Sequence, residues 1–173
     1  MILRAPGNSV NVLPPWRMDA QRDIDFMSQA LAEARKGAAA GEVPVGAIVV
    51  LDGKVIAAAH NRPLALSDPT AHAEMLALRA AGLAAGSYRL IDASLYVTIE
   101  PCVMCIGAMI NARIARLTFG ARDEKAGAVG SVYDIGRDGR LNHRLEIYSG
   151  LMEADCAEVI REFFRGRRGE GGE

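Results

Sequence analysis

The sequence predicts an α/β fold of three layers, α/β/α, in which helices cover both faces of a central mixed sheet of five strands. Two observations predict this fold. Short β-branched apolar runs alternate with amphipathic segments of helical period, and a strand, a helix and another strand follow one another in the second half. Such a succession implies a right-handed parallel crossover and a sheet buried on both faces. The 173 residues suffice for one domain with a substantial core.

Apolar runs locate the predicted strands, which span residues 45–51, 54–60, 94–99, 114–120 and 145–148. The first two runs are separated by Asp52-Gly53, a strong signal for a two-residue hairpin turn, so these strands are expected to pair antiparallel. Apolar residues at helical spacing predict helices over residues 19–40, 71–81, 101–111 and 151–165. Gly37 or Gly41 is expected to end the first helix and Gly82 the second.

Two short motifs carry the chemistry of this chain. His72-Ala73-Glu74 is followed after about thirty residues by Pro101-Cys102-Val103-Met104-Cys105, the pairing typical of zinc-dependent nucleobase deaminases. His72, Cys102 and Cys105 offer three zinc ligands and leave a fourth position for water. Glu74 is then the natural proton carrier, because hydrolytic deamination moves a proton from that water to the substrate.

Helix geometry suits one motif better than the other. With Thr70 as N-cap and Pro101 as the first residue of its helix, both motifs begin a helix. Cys102 and Cys105 would share one helix face, in a first turn where the dipole favours a thiolate. On a regular helix, however, residues two apart diverge. His72 and Glu74 can therefore reach one metal only if it sits off the helix end.

The cysteines allow other interpretations. A lone Cys-x-x-Cys also fits a structural zinc half-site, a redox pair or two buried cysteines, but nothing else indicates the thioredoxin-like fold of a redox pair. A closed zinc site needs a fourth ligand, and the spare candidates Cys156, His60 and His143 form no second close pair. Catalytic zinc is therefore favoured, and Cys156 is interpreted as a core residue.

Composition limits the function classes. The net charge of −1 does not predict a strongly basic nucleic-acid-binding domain, so any RNA contact must come from a local cluster. Such a cluster is Arg161, Arg165, Arg167 and Arg168, which fits a solvated helix end or a phosphate grip equally well. Three cysteines favour a reducing cytoplasm over a disulfide framework. No apolar run reaches the roughly 18 residues of a membrane span.

The chain is expected to hold a single zinc-dependent deaminase domain over residues 19–168. Residues 1–18, rich in proline and without periodicity, are predicted to be a flexible N-terminal extension, and residues 169–173 a disordered tail. The sequence leaves both Met1 and Met18 open as the first residue. Residues 61–69 are expected to line the pocket mouth with Asn61 in the pocket, and residues 121–142 to form a long loop of the functional or disordered kind.

From about Ile24 to Arg168 the chain resembles the bacterial tRNA-specific adenosine deaminase family. The resemblance extends beyond the two metal motifs, which cytidine and guanine deaminases share. The further matching stretches are Glu42 to Ala47, Asn61 to Pro63, Asp68 to Ala71, Tyr88 to Ala93, Tyr96 to Thr98, Gly107 to Ile110, Phe119 to Asp123, Asn142 to Arg144, Phe163 to Arg165 and Arg167-Arg168.

This resemblance implies a cytidine deaminase-like fold and a hydrolase that converts adenosine to inosine at the wobble position of a tRNA anticodon loop, using a zinc-activated water. It also implies one Zn2+ per subunit, a cytoplasmic homodimer and an arginine tRNA as substrate. The implied zinc ligands are His72, Cys102 and Cys105, and Glu74 is the implied general acid and base. The implied substrate-binding residues are Asn61, Val45, Ala73, Asp123, Arg165, Arg167 and Arg168.

Two other functions remain open at this point. A free-base or nucleoside deaminase acting on guanine, cytosine or cytidine would share the zinc site and the fold, although the arginine-rich end and the long loop over residues 121–142 favour a larger substrate. A zinc-stabilised RNA-binding module without catalysis is a different class. Glu74 argues against it, because a closed structural site has no use for an unliganded carboxylate beside the metal.

Overall fold

The computed structural model describes residues 20–170, with the backbone alone described for residues 168–170. The predicted N-terminal extension, residues 1–18, and residues 171–173 of the predicted tail lie outside the described residues. Residues 169–170 belong to the last helix. The predicted domain limits, 19–168, stay a prediction. Within the part of the chain that the structure describes, no helix is long and apolar enough to cross a membrane.

Helices and strands follow one another in the predicted order, with one additional short helix. The elements are α1 (Ala20–Ala39), β1 (Gly46–Leu51), β2 (Lys54–His60), α2 (Pro63–Leu66), α3 (Ala73–Ala85), β3 (Ser94–Ile99), α4 (Val103–Asn111), β4 (Arg116–Ala121), β5 (Glu146–Ser149) and α5 (Glu153–Glu170). The long segment between β4 and β5 is a loop apart from a single 3-10 turn, Ile135–Arg137.

The five strands form one mixed sheet in the order β2-β1-β3-β4-β5. β1 pairs antiparallel with β2 and with β3, whereas β3, β4 and β5 run parallel. Because α4 connects the parallel neighbours β3 and β4, the predicted crossover is present. The hairpin between β1 and β2 is also confirmed, since Asp52 and Gly53 both have the positive φ, 51° and 72°, that a tight hairpin turn requires.

Helices cover both faces of the sheet, which confirms the predicted three-layer fold. Successive residues of β3 alternate between two cores: Leu95 and Val97 pack on the side of α3 and α4, and Tyr96 packs on the side of α1 and α5. Cys156 of α5 is buried in the second core, as predicted. Burial raises the pKa of its thiol to about 12, which keeps the thiol protonated and unreactive.

The predicted end of the second helix is wrong. α3 continues past Gly82 to Ala85, and Gly86, with φ of 63°, takes the left-handed conformation that ends a helix. The carbonyl of Gly82 accepts the N–H of Ser87 at 3.0 Å, so Gly82 is part of the cap rather than the stop. The first helix ends at Ala39, before Gly41 with its φ of 79°.

Candidate active site

The two metal motifs lie at the N-termini of α3 and α4, where the residue that caps each helix belongs to the motif. His72 is the N-cap of α3, with φ −71° and ψ 152°, and Cys102 is the N-cap of α4, with φ −77° and ψ 174°. Cys105 lies in the first turn of α4. Because both caps have extended backbone, their side chains do not follow the helical spacing of the residues after them.

This arrangement corrects the predicted positions of Thr70 and Pro101. The Thr70 hydroxyl donates to Asp68 Oδ1 at 2.7 Å, and the Thr70 N–H donates to the same oxygen at 2.8 Å. Thr70 is thus engaged in the preceding turn and cannot cap α3. The Pro101 carbonyl accepts the N–H of Ala128 at 2.8 Å, which holds Pro101 in the loop ahead of α4 rather than in its first turn.

The side chains of His72, Cys102 and Cys105 converge, with their ligand atoms all within 4.8 Å of one another. His72 Nδ1 lies 3.7 Å from Cys102 Sγ and 3.6 Å from Cys105 Sγ. Ligands placed tetrahedrally around zinc, with Zn–S of about 2.3 Å and Zn–N of about 2.0 Å, stand about 3.5 Å apart on a sulfur–nitrogen edge. The three donors therefore fit a zinc ion in both chemistry and spacing.

Glu74 lies two residues into α3 and is only 3% exposed. The pKa of its carboxyl group responds to His72, Cys102 and Cys105, which places Glu74 beside the three donors. The expected divergence of His72 and Glu74 does not occur, because His72 precedes the helix and Glu74 belongs to it. Burial raises the pKa of Glu74 to about 7, so this carboxyl can both hold and release a proton near neutral pH.

The two cysteines share their protons unequally. The hydrogen bond from Cys105, and after it that from His72, lowers the pKa of Cys102 to about 3, so Cys102 is a thiolate. The same hydrogen bond to Cys102, together with burial, raises the pKa of Cys105. The hydrogen bond to Cys102 also raises the pKa of His72. Metal binding at this group must therefore displace the proton of Cys105.

Asn61, Val45 and Ala73, three of the predicted pocket residues, come together beside this group. Asn61 follows β2, and its Oδ1 accepts the N–H of Ala73 at 2.9 Å. Its own backbone N–H donates to the carbonyl of Val45 at 3.1 Å. All three residues are buried. The hydrogen bond to Ala73 fixes the orientation of the Asn61 amide. Because Ala73 follows His72 in the sequence, the same bond holds Asn61 next to a metal ligand.

Asp123 lies in the loop after β4, and this loop touches the zinc motif. Asp123 Oδ1 accepts the N–H groups of Lys125 and Ala126, at 2.9 and 3.2 Å. Four residues further along, Gly127 forms a β-bridge with Cys102. Asp123 therefore stands at the start of a segment that the structure joins directly to the metal-binding motif.

The described contacts of the predicted arginines are with residues outside the metal motifs. Arg165 forms an ion pair with Glu158 on α5. Arg167 Nη2 donates to the carbonyl of Gly41 at 2.6 Å, and its guanidinium lies 4.6 Å from the centre of the Phe163 ring. The side chain of Arg168 lies outside the described residues. These contacts involve α5 and the turn after α1 rather than the metal motifs.

Two buried carboxylates next to the site were not singled out by sequence reasoning. Glu42, 1% exposed, accepts the N–H groups of Leu64 and Ala65 at 3.2 and 2.8 Å, and so holds the start of α2 just after Asn61. Glu100, 2% exposed, follows the last residue of β3 and directly precedes the cysteine motif. A lone acidic residue at the edge of an apolar strand is the signal that could have identified both.

The carboxylate of Glu100 is held by the loop that carries Asp123. Burial alone would raise the pKa of Glu100, but hydrogen bonds from Ser131, Val129 and Asp123 outweigh burial and lower it. Glu100 is therefore an ionised group inside the protein, stabilised by hydrogen-bond donors of this loop.

Comparison with known proteins agrees with this site. Residues 20–121 match the family model described as the cytidine and deoxycytidylate deaminase zinc-binding region. The chain is 46% identical, over 87% of its length and 87% of the relative's, to the tRNA-specific adenosine deaminase of Streptococcus pyogenes serotype M1. It is 50% identical, over 83% of its length and 94% of the relative's, to the tRNA-specific adenosine deaminase of Agrobacterium fabrum.

Solved structures of deaminases are also similar to this chain. A structure from a study of A-to-I editing by tRNA:A34 deaminases at the wobble position is 49% identical with a TM-score of 0.76, over 78% of this chain and 98% of that one. A guanine deaminase from Nitrosomonas europaea is 31% identical with a TM-score of 0.68, over 81% and 83%. With the His72, Cys102 and Cys105 donor group, the matching zinc-binding region identifies one Zn2+ as the cofactor. The chain belongs to the tRNA-specific adenosine deaminase family and is a zinc-dependent deaminase of the cytidine deaminase fold.

Proposed function

We propose that this protein hydrolyses adenosine to inosine at the wobble position of a tRNA anticodon loop. The observation that carries the proposal is the buried Glu74 carboxyl beside a His/Cys/Cys group with the ligand spacing of zinc. Identity of 46% and 50% to tRNA-specific adenosine deaminases supports adenosine in tRNA as the substrate.

We infer that His72, Cys102 and Cys105 hold the metal and that Glu74 handles the protons. Zinc supplies the Lewis acidity that brings the pKa of a coordinated water towards neutrality. Glu74 accepts a proton from the attacking water and delivers it to N1 of the adenine. It then accepts the remaining proton of the hydroxyl added at C6 and delivers it to the amino group, which leaves as ammonia while the C6 carbonyl forms. The products are inosine and ammonia. Its pKa of about 7 suits a group that must be protonated and deprotonated in each turnover.

Asn61, Val45 and Ala73 form the proposed wall for the extruded base. Asn61 Oδ1 is occupied by the N–H of Ala73 at 2.9 Å, so its amide N–H groups remain for an acceptor atom of the purine. A preset amide orients the base without reorganising when the base enters. The Val45 side chain, buried just before β1, supplies apolar contact beside it.

Asp123 and the α5 arginines are the proposed contacts to the RNA outside the pocket. Asp123 belongs to the loop that bridges to Cys102, so it can meet a nucleotide next to the extruded base. Arg165 and Arg167 are exposed near the end of α5, where each retains guanidinium N–H groups beyond its described partner. Phosphate contacts of this kind supply affinity without reading the sequence. An arginine tRNA is the proposed substrate on the family resemblance alone.

A symmetric homodimer is the proposed assembly, as the family resemblance implies. An apolar groove of about 860 Å³ lies between α3 and α4, and Met75, Leu78, Leu83 and Ala108 contribute to its lining. Leu83 is 85% exposed, which is unfavourable for a large aliphatic side chain unless another surface covers it. Light scattering tests this assembly: Leu83→Glu should shift a dimer towards monomer, and a monomeric wild-type protein would contradict it.

We also propose that the protein acts in the cytoplasm, which accords with free thiols at the zinc site and with tRNA as substrate. The test of the proposed function is to incubate unmodified tRNA with the purified protein and to sequence it for inosine at the wobble position. Guanine, cytidine and free adenosine are tested in parallel for ammonia release, because the fold is shared with a guanine deaminase. Faster release from guanine or cytidine than from an anticodon hairpin would contradict the proposal.

A further inference from the structure

Glu100 contacts both ends of the segment between Asp123 and Ser131. Glu100 Oε1 accepts the N–H groups of Val129 and Ser131, each at 3.0 Å. Glu100 Oε2 accepts the N–H of Asp123 at 3.2 Å and also the hydroxyl of Ser131. The segment therefore wraps around a single carboxylate, and these four donors all belong to the segment.

The segment fits closely against the carboxylate. A Cβ added at Gly127 would lie 2.4 Å from Glu100 Cδ and 2.5 Å from the carbonyl oxygen of Asp123. Only glycine leaves room for the chain to pass at this distance. The same Gly127 forms the β-bridge with Cys102, and Ala128 donates its N–H to the carbonyl of Pro101 at 2.8 Å. The centre of the segment is thus fixed to the backbone of the cysteine motif, and its two ends are fixed to Glu100.

We propose that Glu100 is a positioning residue that sets the distance between Asp123 and the metal group, and so the fit of the nucleotides beside the extruded base. This inference rests on the proposed function, because Asp123 is taken as an RNA contact. Glu100 does not touch substrate or the reacting atoms. It acts by ordering a segment that has little apolar anchorage around Asp123, where the residues from Asp123 to Ala126 are partly or fully exposed.

This role needs a carboxylate because three N–H groups and one hydroxyl donate to the side chain, and only a carboxylate accepts hydrogen bonds at both of its polar atoms. In Glu100→Gln, one oxygen becomes an amide nitrogen that cannot accept, so two of the four donors lose their partner and face another N–H group. A buried donor without an acceptor is unfavourable, and the segment is expected to move away to reach water.

The test compares Glu100→Gln with the wild type on an anticodon hairpin that carries the target adenosine. We expect one zinc per chain, a KM raised about tenfold and kcat changed by less than about threefold, since the metal group itself is untouched. Hydrogen exchange gives a readout without RNA: the amides of Val129 and Ser131 should lose protection, while the amides of β1 keep theirs.

Ser131→Ala is the second variant, in case Glu100→Gln fails to fold or to hold zinc. It removes only the hydroxyl donor and should raise KM by about twofold to threefold, with partial loss of protection in the same segment. Asp23→Asn is the matched stability control: it removes the charge of a partly buried carboxylate that pairs with Arg116 at 3.0 Å, on the opposite face of the sheet. It should lower Tm and leave the hairpin KM unchanged.

Two results would overturn the inference. One is an unchanged hairpin KM in both Glu100→Gln and Ser131→Ala. The other is an equal rise in KM in Asp23→Asn, which would reduce the role of Glu100 to general stability. Failure of the proposed function is distinguishable from both, because the wild-type protein would then leave no inosine in the hairpin, whatever the variants do.

Discussion

Replacement of Glu74 by glutamine separates proton transfer from metal binding. The substitution keeps the size of the side chain and removes its capacity to accept a proton at neutral pH. A single general acid–base group contributes about 10²–10⁴-fold to a rate, and Glu74 serves several proton transfers in the proposed reaction. We therefore expect a loss in kcat of at least about 10³-fold, with hairpin KM nearly unchanged, because Glu74 is not part of the proposed RNA contacts.

Stability should move in the opposite direction to activity. Burial raises the pKa of Glu74 to about 7 from its usual value near 4.5, so the folded protein binds this proton more tightly than the unfolded chain does. Above pH 7 the folded state must hold an unfavourable buried charge, and the neutral glutamine removes it. Glu74→Gln should therefore be at least as stable as the wild type at about pH 8.

The assay is ammonia release and inosine formation under single-turnover conditions, with zinc measured by elemental analysis on the same preparation. Glu33→Gln is the control: Glu33 is a largely buried carboxylate on α1, paired with Lys36 at 2.5 Å and His60 at 3.1 Å. It should keep the wild-type rate. Turnover of Glu74→Gln within tenfold of the wild type, or a zinc content well below one per chain, would refute the role given to Glu74.

Three further predictions concern the metal, the RNA and acid stability. Cys102→Ala should lose zinc and activity together, because two donors cannot complete the ligand set; a variant that retains one zinc on elemental analysis would contradict this. Replacing Arg165, Arg167 and Arg168 by glutamine should weaken hairpin binding and lower the salt slope of log K by about two, at about 0.7 per phosphate contact. An unchanged slope would leave these arginines as a solvated helix end. Burial raises the pKa of Glu33, but hydrogen bonds and charges from Lys36 and His60 outweigh burial and lower the pKa below 4.5. The stabilisation that ionised Glu33 gives to the folded state is therefore present above pH 4.5 and is lost as the pH falls through the folded-state pKa. Glu33→Gln should flatten the loss of stability seen by urea unfolding between about pH 5 and pH 3, and an unchanged acid slope would contradict the assignment.

Sequence reasoning succeeded where the determinants are local. The strands Lys54–His60 and Ser94–Ile99 have the predicted bounds, because alternation, β-branching and the turn at Asp52-Gly53 all act within a few residues. The stop at Gly82 failed for a local reason as well. A glycine ends a helix only where the chain takes positive φ, and that occurs at Gly86.

The rest depended on contacts between distant residues. Glu100 lies 23 residues from Asp123 and 31 from Ser131, and nothing in the local sequence shows that its carboxylate will meet their N–H groups. The α2 helix has the same origin, since Glu42 accepts N–H groups 22 and 23 residues away. A buried carboxylate in an apolar setting can be seen in a sequence, but its partners cannot.

The boundary between loop and helix explains how His72 and Glu74, two residues apart, can both lie beside the metal group. His72 is the N-cap of α3, with extended backbone, and Glu74 is the second residue of the helix. The two side chains therefore do not project from opposite faces of a regular helix. On α4, Cys102 is the cap and Cys105 is the third residue, so this pair too joins a side chain ahead of the helix to one in its first turn. Both helices thus present their N-terminal ends, where N–H groups lack helical partners and the dipole favours negative charge, to the group that carries thiolates. The position of the helix start, fixed at α3 by Asp68 engaging Thr70, is therefore part of the metal site.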